Sequence, residues 1–154
     1  MNLRPFEIIV QAKPAAALAA YAKPGPIIQI DGHTFRPIEL AAQQLETALP
    51  VSFEEAGAAL AELPQLYLEP DGSFVQVSAA GEPSWQVEGN LYDCAGRLLY
   101  VELKGTCPAA ALDRLLAAFG WPAVSLVFQL VRTGIFLDEL EFRRWARIQC
   151  GPPA

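Results

Sequence analysis

Charged side chains gather in one stretch of the sequence, residues 84–104, where two alternating apolar–polar runs meet at a tight turn. Glu102 and Lys104 are two residues apart, so on a β-strand both side chains project from the same face. Glu88 and Asn90 occupy the polar face of the preceding run. Carboxylate oxygens are ligands for hard cations such as Mg²⁺, and a bound divalent metal can polarise a phosphate and generate hydroxide. Metal-assisted hydrolysis is therefore the chemistry that this stretch could perform.

The segment Asp93-Cys94-Ala95-Gly96-Arg97 is typical of a type I turn followed by a glycine bulge. Pairing its first residue with its last predicts that Glu88 lies directly opposite Glu102. Two opposed carboxylates repel by up to ~1 kcal/mol, which Lys104 or a bound divalent cation would relieve. The alternative is an ordinary solvated face of an antiparallel sheet. The same register predicts an inward apolar face of Val87, Leu91, Leu99, Val101 and Leu103.

Glu102-Leu103-Lys104, an acid-x-Lys motif on a strand that follows a hairpin, resembles the core of the PD-(D/E)XK nuclease superfamily over about residues 52–131. The resemblance implies that Glu102 and an upstream strand acid hold Mg²⁺ while Lys104 helps to activate water. The upstream position is occupied by Asn90, with Glu88 as the substitute acid. Under this interpretation the catalytic residues are Glu88, Glu102 and Lys104, and the metal ligands are Glu88 and Glu102.

Composition limits the classes of function. The chain has 154 residues, of which 53% are hydrophobic and 18% charged, as expected for a single folded domain over residues 1–154. A net charge of −6 with only 11 Lys and Arg residues argues against binding to nucleic acid. Three cysteines without C-x-x-C spacing and a single His argue against structural zinc and predict reduced thiols in a cytoplasmic protein. Neither a signal peptide nor an apolar stretch of ~20 residues that could span a membrane is apparent.

Periodicity and turn residues predict an α+β fold, in which an antiparallel meander over about residues 65–104 is covered by helices on one face. Residues 1–36 are expected to form a strand, a helix and a hairpin ahead of an α+β core over residues 37–150. Helices are predicted over residues 14–21, 38–49, 53–63, 108–119 and 136–148. A strand over residues 125–131 is expected to join the sheet in parallel through a helical crossover.

The last predicted helix has the composition of an interface, because arginines lie beside aromatic side chains. Its candidate interface residues are Phe142, Arg143, Arg144, Trp145 and Arg147. The leading interpretation is a non-catalytic acidic binding domain of the chaperone, immunity or adaptor type, with a protein partner or a second copy at the polar sheet face or at this helix. It requires no cofactor.

Two alternatives remain. The first is the nuclease-like enzyme, possibly degenerate, which alone requires Mg²⁺. The second is a small-molecule binding domain in which aromatic side chains surround a pocket. The aromatic residues proposed for that pocket are Trp85, Tyr92, Tyr100 and Trp121.

Overall fold

The computed structural model describes residues 1–14, 26–40 and 47–148 of the chain, and it confirms the α+β fold. Nine strands and three helices occur within these residues. The predicted helix over residues 14–21 and the central part of the one over 38–49 lie outside the described residues. The elements are β1 (Phe6–Ala12), β2 (Ile28–Ile30), β3 (His33–Phe35), α1 (Phe53–Ala61), β4 (Leu66–Leu68), β5 (Ser73–Val77), β6 (Gln86–Cys94), β7 (Arg97–Thr106), α2 (Ala109–Ala117), β8 (Leu126–Leu130), β9 (Phe136–Asp138) and α3 (Glu139–Arg147).

Seven strands form one antiparallel sheet in the order β4-β5-β6-β7-β1-β8-β9, while β2 and β3 form a separate hairpin. The four-strand meander β4–β7 confirms the prediction for residues 65–104. The parallel addition of residues 125–131 was wrong, because β8 pairs antiparallel with β1. The crossover through α2 does leave β8 running in the same direction as β7, but β1 lies between them and bonds to both.

The core lies on one face of the sheet, where the strand alternation places the apolar side chains. Ile8 of β1 lies opposite Leu103 of β7 on one side and Leu130 of β8 on the other. All three described helices contribute buried residues to the same apolar cluster on this face. Helix α3 is anchored where the ring of Phe142 stacks on that of Phe128, with centroids 4.3 Å apart.

The tip of the β6–β7 hairpin differs from the expected turn. Cys94 pairs with Arg97, and the two residues between them, Ala95 and Gly96, have φ of +53° and +81°. Two positive φ values are those of a two-residue type I′ turn, whose twist matches that of the flanking strands. The irregularity in the ladder therefore lies between Tyr92 and Asp93 rather than in the turn.

This difference shifts the predicted register by two residues. Asn90 lies opposite Glu102, and Glu88 lies opposite Lys104, so the expected pair Glu88–Glu102 was wrong. Because a shift by two keeps every side chain beyond the irregularity on its own face, Val101 is buried as expected. At the tip, where the irregularity changes the alternation, Leu98 is buried in place of Leu99.

The C-terminal helix begins later than predicted, because residues 136–138 form β9 on the edge beside β8. Asp138 then caps α3 by accepting a hydrogen bond from the backbone N–H of Glu141 at 2.9 Å. Helix α1 begins with a capping box, since Ser52 and Glu55 each bond the other's backbone N–H. Within the described part of the chain, the helices are too short or too polar to traverse a bilayer.

Candidate functional site

The residues with predicted chemistry line one concave region on the sheet face opposite the described helices. We call it the outer-face cleft, and its volume is about 490 Å³. Its walls come from β4, β5, β6 and β7 and the β4–β5 turn. They are formed by Tyr67, Glu69, Ser73, Phe74, Val75, Glu88, Gly89, Asn90, Glu102 and Lys104. The structure thus brings Glu88, Asn90, Glu102 and Lys104 together, as the alternation of the two strands predicted.

The outer face is open only in part. Glu88, Glu102 and Lys104 are exposed, as expected for a solvated sheet face. Further along the sheet, however, Gln11 of β1 and Val127 of β8 lie on the same face and are buried. The accessible portion of this face therefore lies over β4, β5, β6 and β7, where the cleft is.

Charges of opposite sign alternate across the cleft. Lys104 lies between Glu88 of β6 and Glu7 of β1. Among the described residues, the Lys104 ammonium has no carboxylate within 4.0 Å, so these charges attract one another through solvent. Exposed pairs of this kind contribute about 0–1 kcal/mol to stability. The arrangement removes the carboxylate repulsion that the sequence register had implied.

Both glutamates are held as hydrogen-bond acceptors by neighbouring side chains. The Tyr92 hydroxyl donates to Glu102 Oε2 at 3.1 Å, and the Gln86 amide donates to Glu88 Oε1 at 3.4 Å. The rings of Tyr92 and Tyr100 stack with centroids 4.5 Å apart. Burial, followed by the effects of Tyr92 and Glu102, raises the pKa of Tyr100. Tyr100 therefore keeps its phenol proton at neutral pH.

Asn90 provides an acceptor that is not used within the described part of the chain. Its Oδ1 atom is buried and has no hydrogen-bond partner there. A buried carbonyl oxygen without a donor costs about 1–3 kcal/mol, and such an atom in a native protein calls for a physical explanation. A bound molecule would reach this atom after the Asn90 side chain turned, because the atom is closed to solvent.

The cleft holds fewer carboxylates close together than a typical Mg²⁺ site. Among the described residues, no group of three or more His, Cys, Asp or Glu side chains is placed to hold a metal ion. Glu88 and Glu102 are diagonal neighbours, and the position opposite Glu102 is an amide. Mg²⁺ requires near-octahedral oxygen ligands, and water would have to supply most of them here. Metal binding by Glu88 and Glu102 stays a prediction.

The aromatic residues of the predicted interface belong to the core. Phe142 is fully buried and Trp145 is 7% exposed, so neither side chain is available to a partner. The Arg4 guanidinium lies over the Trp145 ring, 4.4 Å from its centroid. Sequence periodicity could not show this, because α3 is covered on two sides, by the sheet and by the N-terminal segment.

Two of the arginines on α3 make contacts within the chain. Arg143 pairs with Asp113 at 2.6 Å and with Glu139 at 3.1 Å, which ties α3 to α2. Arg144 pairs with Glu141 and donates to the Thr34 carbonyl at 3.1 Å, which holds the β2–β3 hairpin. Arg147 is exposed. An interface on this helix stays a prediction, for which Arg147 and Leu140 are the exposed side chains.

The four aromatics proposed for a ligand pocket do not surround a common space. Trp85 and Trp121 pack against the core cluster, whereas Tyr92 and Tyr100 stack on the outer face of the sheet. The Trp121 indole N–H donates to Glu139 of α3 at 2.7 Å. Because the sheet separates the two pairs, these four side chains do not line one pocket, and small-molecule binding stays a prediction.

The β4–β5 hairpin supplies three polar cleft residues that the sequence did not single out, Tyr67, Glu69 and Ser73. Ser73 lies opposite Asn90, and the Tyr67 side chain is 59% exposed at the rim. Extending the register from one hairpin to the next would have found them, since neighbouring strands of a meander share their faces. A second cavity near Arg4 had no sequence signal, because its residues come from distant parts of the chain.

Comparison with known proteins gives no family model, no curated protein and no solved structure that matches this chain significantly.

Proposed function

We propose that this chain is a non-catalytic protein-binding domain, and that the outer-face cleft binds a basic segment of a protein partner. The observation that carries the proposal is the lining of the cleft, where the carboxylates of Glu69, Glu88 and Glu102 surround a concave surface beside an exposed tyrosine, Tyr67. The role would be that of a small acidic chaperone, immunity or adaptor protein.

Charge favours a basic partner. Three carboxylates and one ammonium line the cleft, and the whole chain has 17 acidic residues against 11 basic ones. Complementary charge accelerates association and disfavours wrong partners more than it adds affinity.

Tyr67 supplies the apolar component. Tyrosine is among the residue types that contribute most to protein interfaces, because one rigid ring offers both contact area and a hydroxyl group. Tyr67 lies on β4, an edge strand of the sheet, and its side chain is 59% exposed. A partner that covered this ring while its cations met the carboxylates would bury both parts of the cleft.

The test is site-specific photo-crosslinking. A photoreactive phenylalanine replaces Tyr67 in cells that make the protein naturally, and the crosslinked partner is identified by mass spectrometry. The partner is then purified, and its affinity is measured for the wild type and for Glu88→Gln/Glu102→Gln. We expect the double variant to bind at least ~10-fold more weakly, which corresponds to ~1.4 kcal/mol, and added salt to weaken wild-type binding.

The matched control is Glu54→Gln/Glu62→Gln, which removes the same charge from exposed positions at the two ends of α1. Equal losses in both double variants would mean that only overall charge matters, and the cleft proposal would be wrong. A self-crosslink accompanied by dimer sedimentation would identify the partner as a second copy of the chain. Its cleft-contacting segment should then include Lys or Arg.

A second candidate is a metal-dependent nuclease of the PD-(D/E)XK type, possibly degenerate. The observation in its favour is that Glu88, Glu102 and Lys104 line the same cleft. Mg²⁺ or Mn²⁺ at 100 times its Kd would stabilise the fold by about 2.7 kcal/mol. The wild type should then cleave DNA, and Lys104→Ala should not. An unchanged melting temperature with metal, together with no cleavage by the wild type, rules out this candidate.

A further inference from the structure

A second cavity, which we call the Arg4 pocket, lies where the segment before β1 meets the β8–β9 turn and α3. Its volume is about 300 Å³. Apolar walls come from Phe6 of β1, Ile30 of the small hairpin, Leu130 of β8 and Trp145 of α3. The cavity is held together by backbone bonds, because the Val131 N–H donates to the Glu7 carbonyl at 3.0 Å and the Arg4 N–H donates to the Ala146 carbonyl at 2.9 Å.

Three cationic residues line this largely apolar cavity, Arg4, Lys104 and Arg132. The acidic groups facing them are Glu7, which also lines the cavity, and Asp31, which pairs with Arg4 at 2.8 Å. Glu7 and Glu88 flank Lys104 on the neighbouring strands, so the positive charge of the pocket comes from Arg4 and Arg132 against Asp31, in a protein whose net charge is −6. The pocket is the opposite of the outer-face cleft, where carboxylates predominate.

Arg4 is short of acceptors. Its side chain is 13% exposed, and its Nη2 atom pairs with Asp31. Nε and Nη1 are buried, and among the described residues they have no hydrogen-bond acceptor. The Trp145 ring covers the face of the guanidinium. A buried cationic donor without an acceptor is costly, and a bound anion is one of the groups that explain such a donor.

We propose that the Arg4 pocket binds a small organic carboxylate with a short apolar body. The carboxylate would meet Arg132 and Arg4, and the apolar body would lie against Phe6, Ile30 and Leu130. Guanidinium and carboxylate groups match in both geometry and charge. A volume of about 300 Å³ is at the small end of ligand pockets, which suits an acid the size of octanoate or 3-phenylpropanoate. Because Nε and Nη1 are buried, the Arg4 side chain must turn toward the cavity to meet the carboxylate.

The experiment titrates the full chain with octanoate and with 3-phenylpropanoate, using calorimetry and the intrinsic fluorescence that Trp145 contributes. Octan-1-ol, which has the apolar body without the charge, and inorganic phosphate, which has charge without the body, serve as ligand controls. We expect saturable binding of one or both acids at a single site and at least ~10-fold weaker binding of both controls. Stronger binding of the aliphatic or of the aromatic acid identifies the source chemistry. Binding of neither acid overturns the proposal.

Two variants locate the site at residues that lie outside the fully buried core. Arg132→Ala, at an exposed turn position, should weaken binding by about tenfold, whereas Arg114→Ala, an exposed arginine on α2, should not change it. Ile30→Trp should block the cavity while leaving its charge unchanged. Full binding by either pocket variant overturns the assignment. Lys104 stays unchanged because it also lines the outer-face cleft, and Glu88→Gln/Glu102→Gln should bind octanoate normally.

Discussion

Replacing Gly105 with alanine should destabilise the fold by several kcal/mol, because this position of β7 has no room for a side chain. Gly105 follows Lys104 and lies between Val87 of β6 and Phe6 of β1. Its φ is +140°, a backbone conformation that side chains disfavour. A Cβ atom there would lie 2.1 Å from the Gln86 carbonyl oxygen and 3.0 Å from Val87 Cα. Both atoms belong to the backbone, so the strands themselves would have to move apart.

Two costs add in this variant. The positive φ costs a residue with a Cβ about 1–2 kcal/mol. Forcing an extra carbon into a filled space costs about 1–3 kcal/mol more. The sum, about 2–5 kcal/mol, is a large share of the 5–15 kcal/mol that stabilises a typical domain. With a urea m-value of about 1.5 kcal/mol/M, the unfolding midpoint should fall by about 1–3 M.

Urea unfolding followed by tryptophan fluorescence measures this loss, and Gly81→Ala separates the two costs. Gly81 has φ of +89°, but none of the described residues lies within 4 Å of an added Cβ, so the conformational cost of about 1–2 kcal/mol should apply alone. If the two variants lost equal stability with unchanged m-values, the close approach of β6 to β7 at Gly105 would be refuted. The register that places Glu88 opposite Lys104 would then lose its support.

The remaining predictions concern the hairpin tip, the thiols and a helix cap. Leu98→Ala should lower the free energy of unfolding in urea by about 2–5 kcal/mol, since Leu98 is fully buried, and Leu99→Ala should lower it by less than half as much. The reverse order would support the type I turn that the sequence predicted. In the native protein an alkylating reagent should modify the exposed Cys94 and spare the buried Cys107, as mass spectrometry of the peptides would show. Burial raises the pKa of the Cys107 thiol from 9.0 to about 12, so this thiol ionises at lower pH in the unfolded chain than in the folded one. The free energy of unfolding should therefore fall as the pH rises from 9 to 12. Cys107→Ala should remove that decline, and an unchanged decline would show that another group causes it. Ser52→Ala should cost about 1 kcal/mol by removing one half of the α1 capping box, and a loss near zero in thermal unfolding would show that the cap contributes nothing.

Features that depend on residues close together in the sequence were predictable. The hairpin predicted within residues 1–36 is β2–β3, whose turn is the Asp31-Gly32 pair that two-residue hairpins favour and in which Ile28 lies opposite Phe35. Ser52 and Glu55 gave the start of α1. Turn residues at short intervals gave the β4–β7 meander. In each case the backbone conformation is determined by residues that are close together in the chain, so it can be predicted from the sequence alone.

Features that depend on distant partners were not predictable. The alternation in residues 6–12 indicates a strand but cannot say that this strand is inserted between β7 and β8. Residues 136–138 continue a helical pattern, yet they form β9 because the free edge of β8 offers backbone partners. The Arg4 pocket has the same origin, since its walls come from five separate parts of the chain, near residues 4, 30, 104, 130 and 145. Such neighbours follow from the folded topology rather than from local pattern.

The outer-face cleft shows how a register error can preserve the members of a site and change its chemistry. A shift by two residues left Glu88, Glu102 and Lys104 on one face, as predicted, because strand side chains alternate with a period of two. It nevertheless replaced a carboxylate opposite Glu88 with the Lys104 ammonium. The predicted repulsion had been one physical reason for a divalent cation, and that reason disappears once the charges alternate. Glu69 lines the cleft together with the two glutamates, so its carboxylates are spread around the concave surface. A single metal ion needs its ligands close together, and among the described residues no such group occurs. This spacing suits the proposed partner, whose several cations lie apart on its own surface.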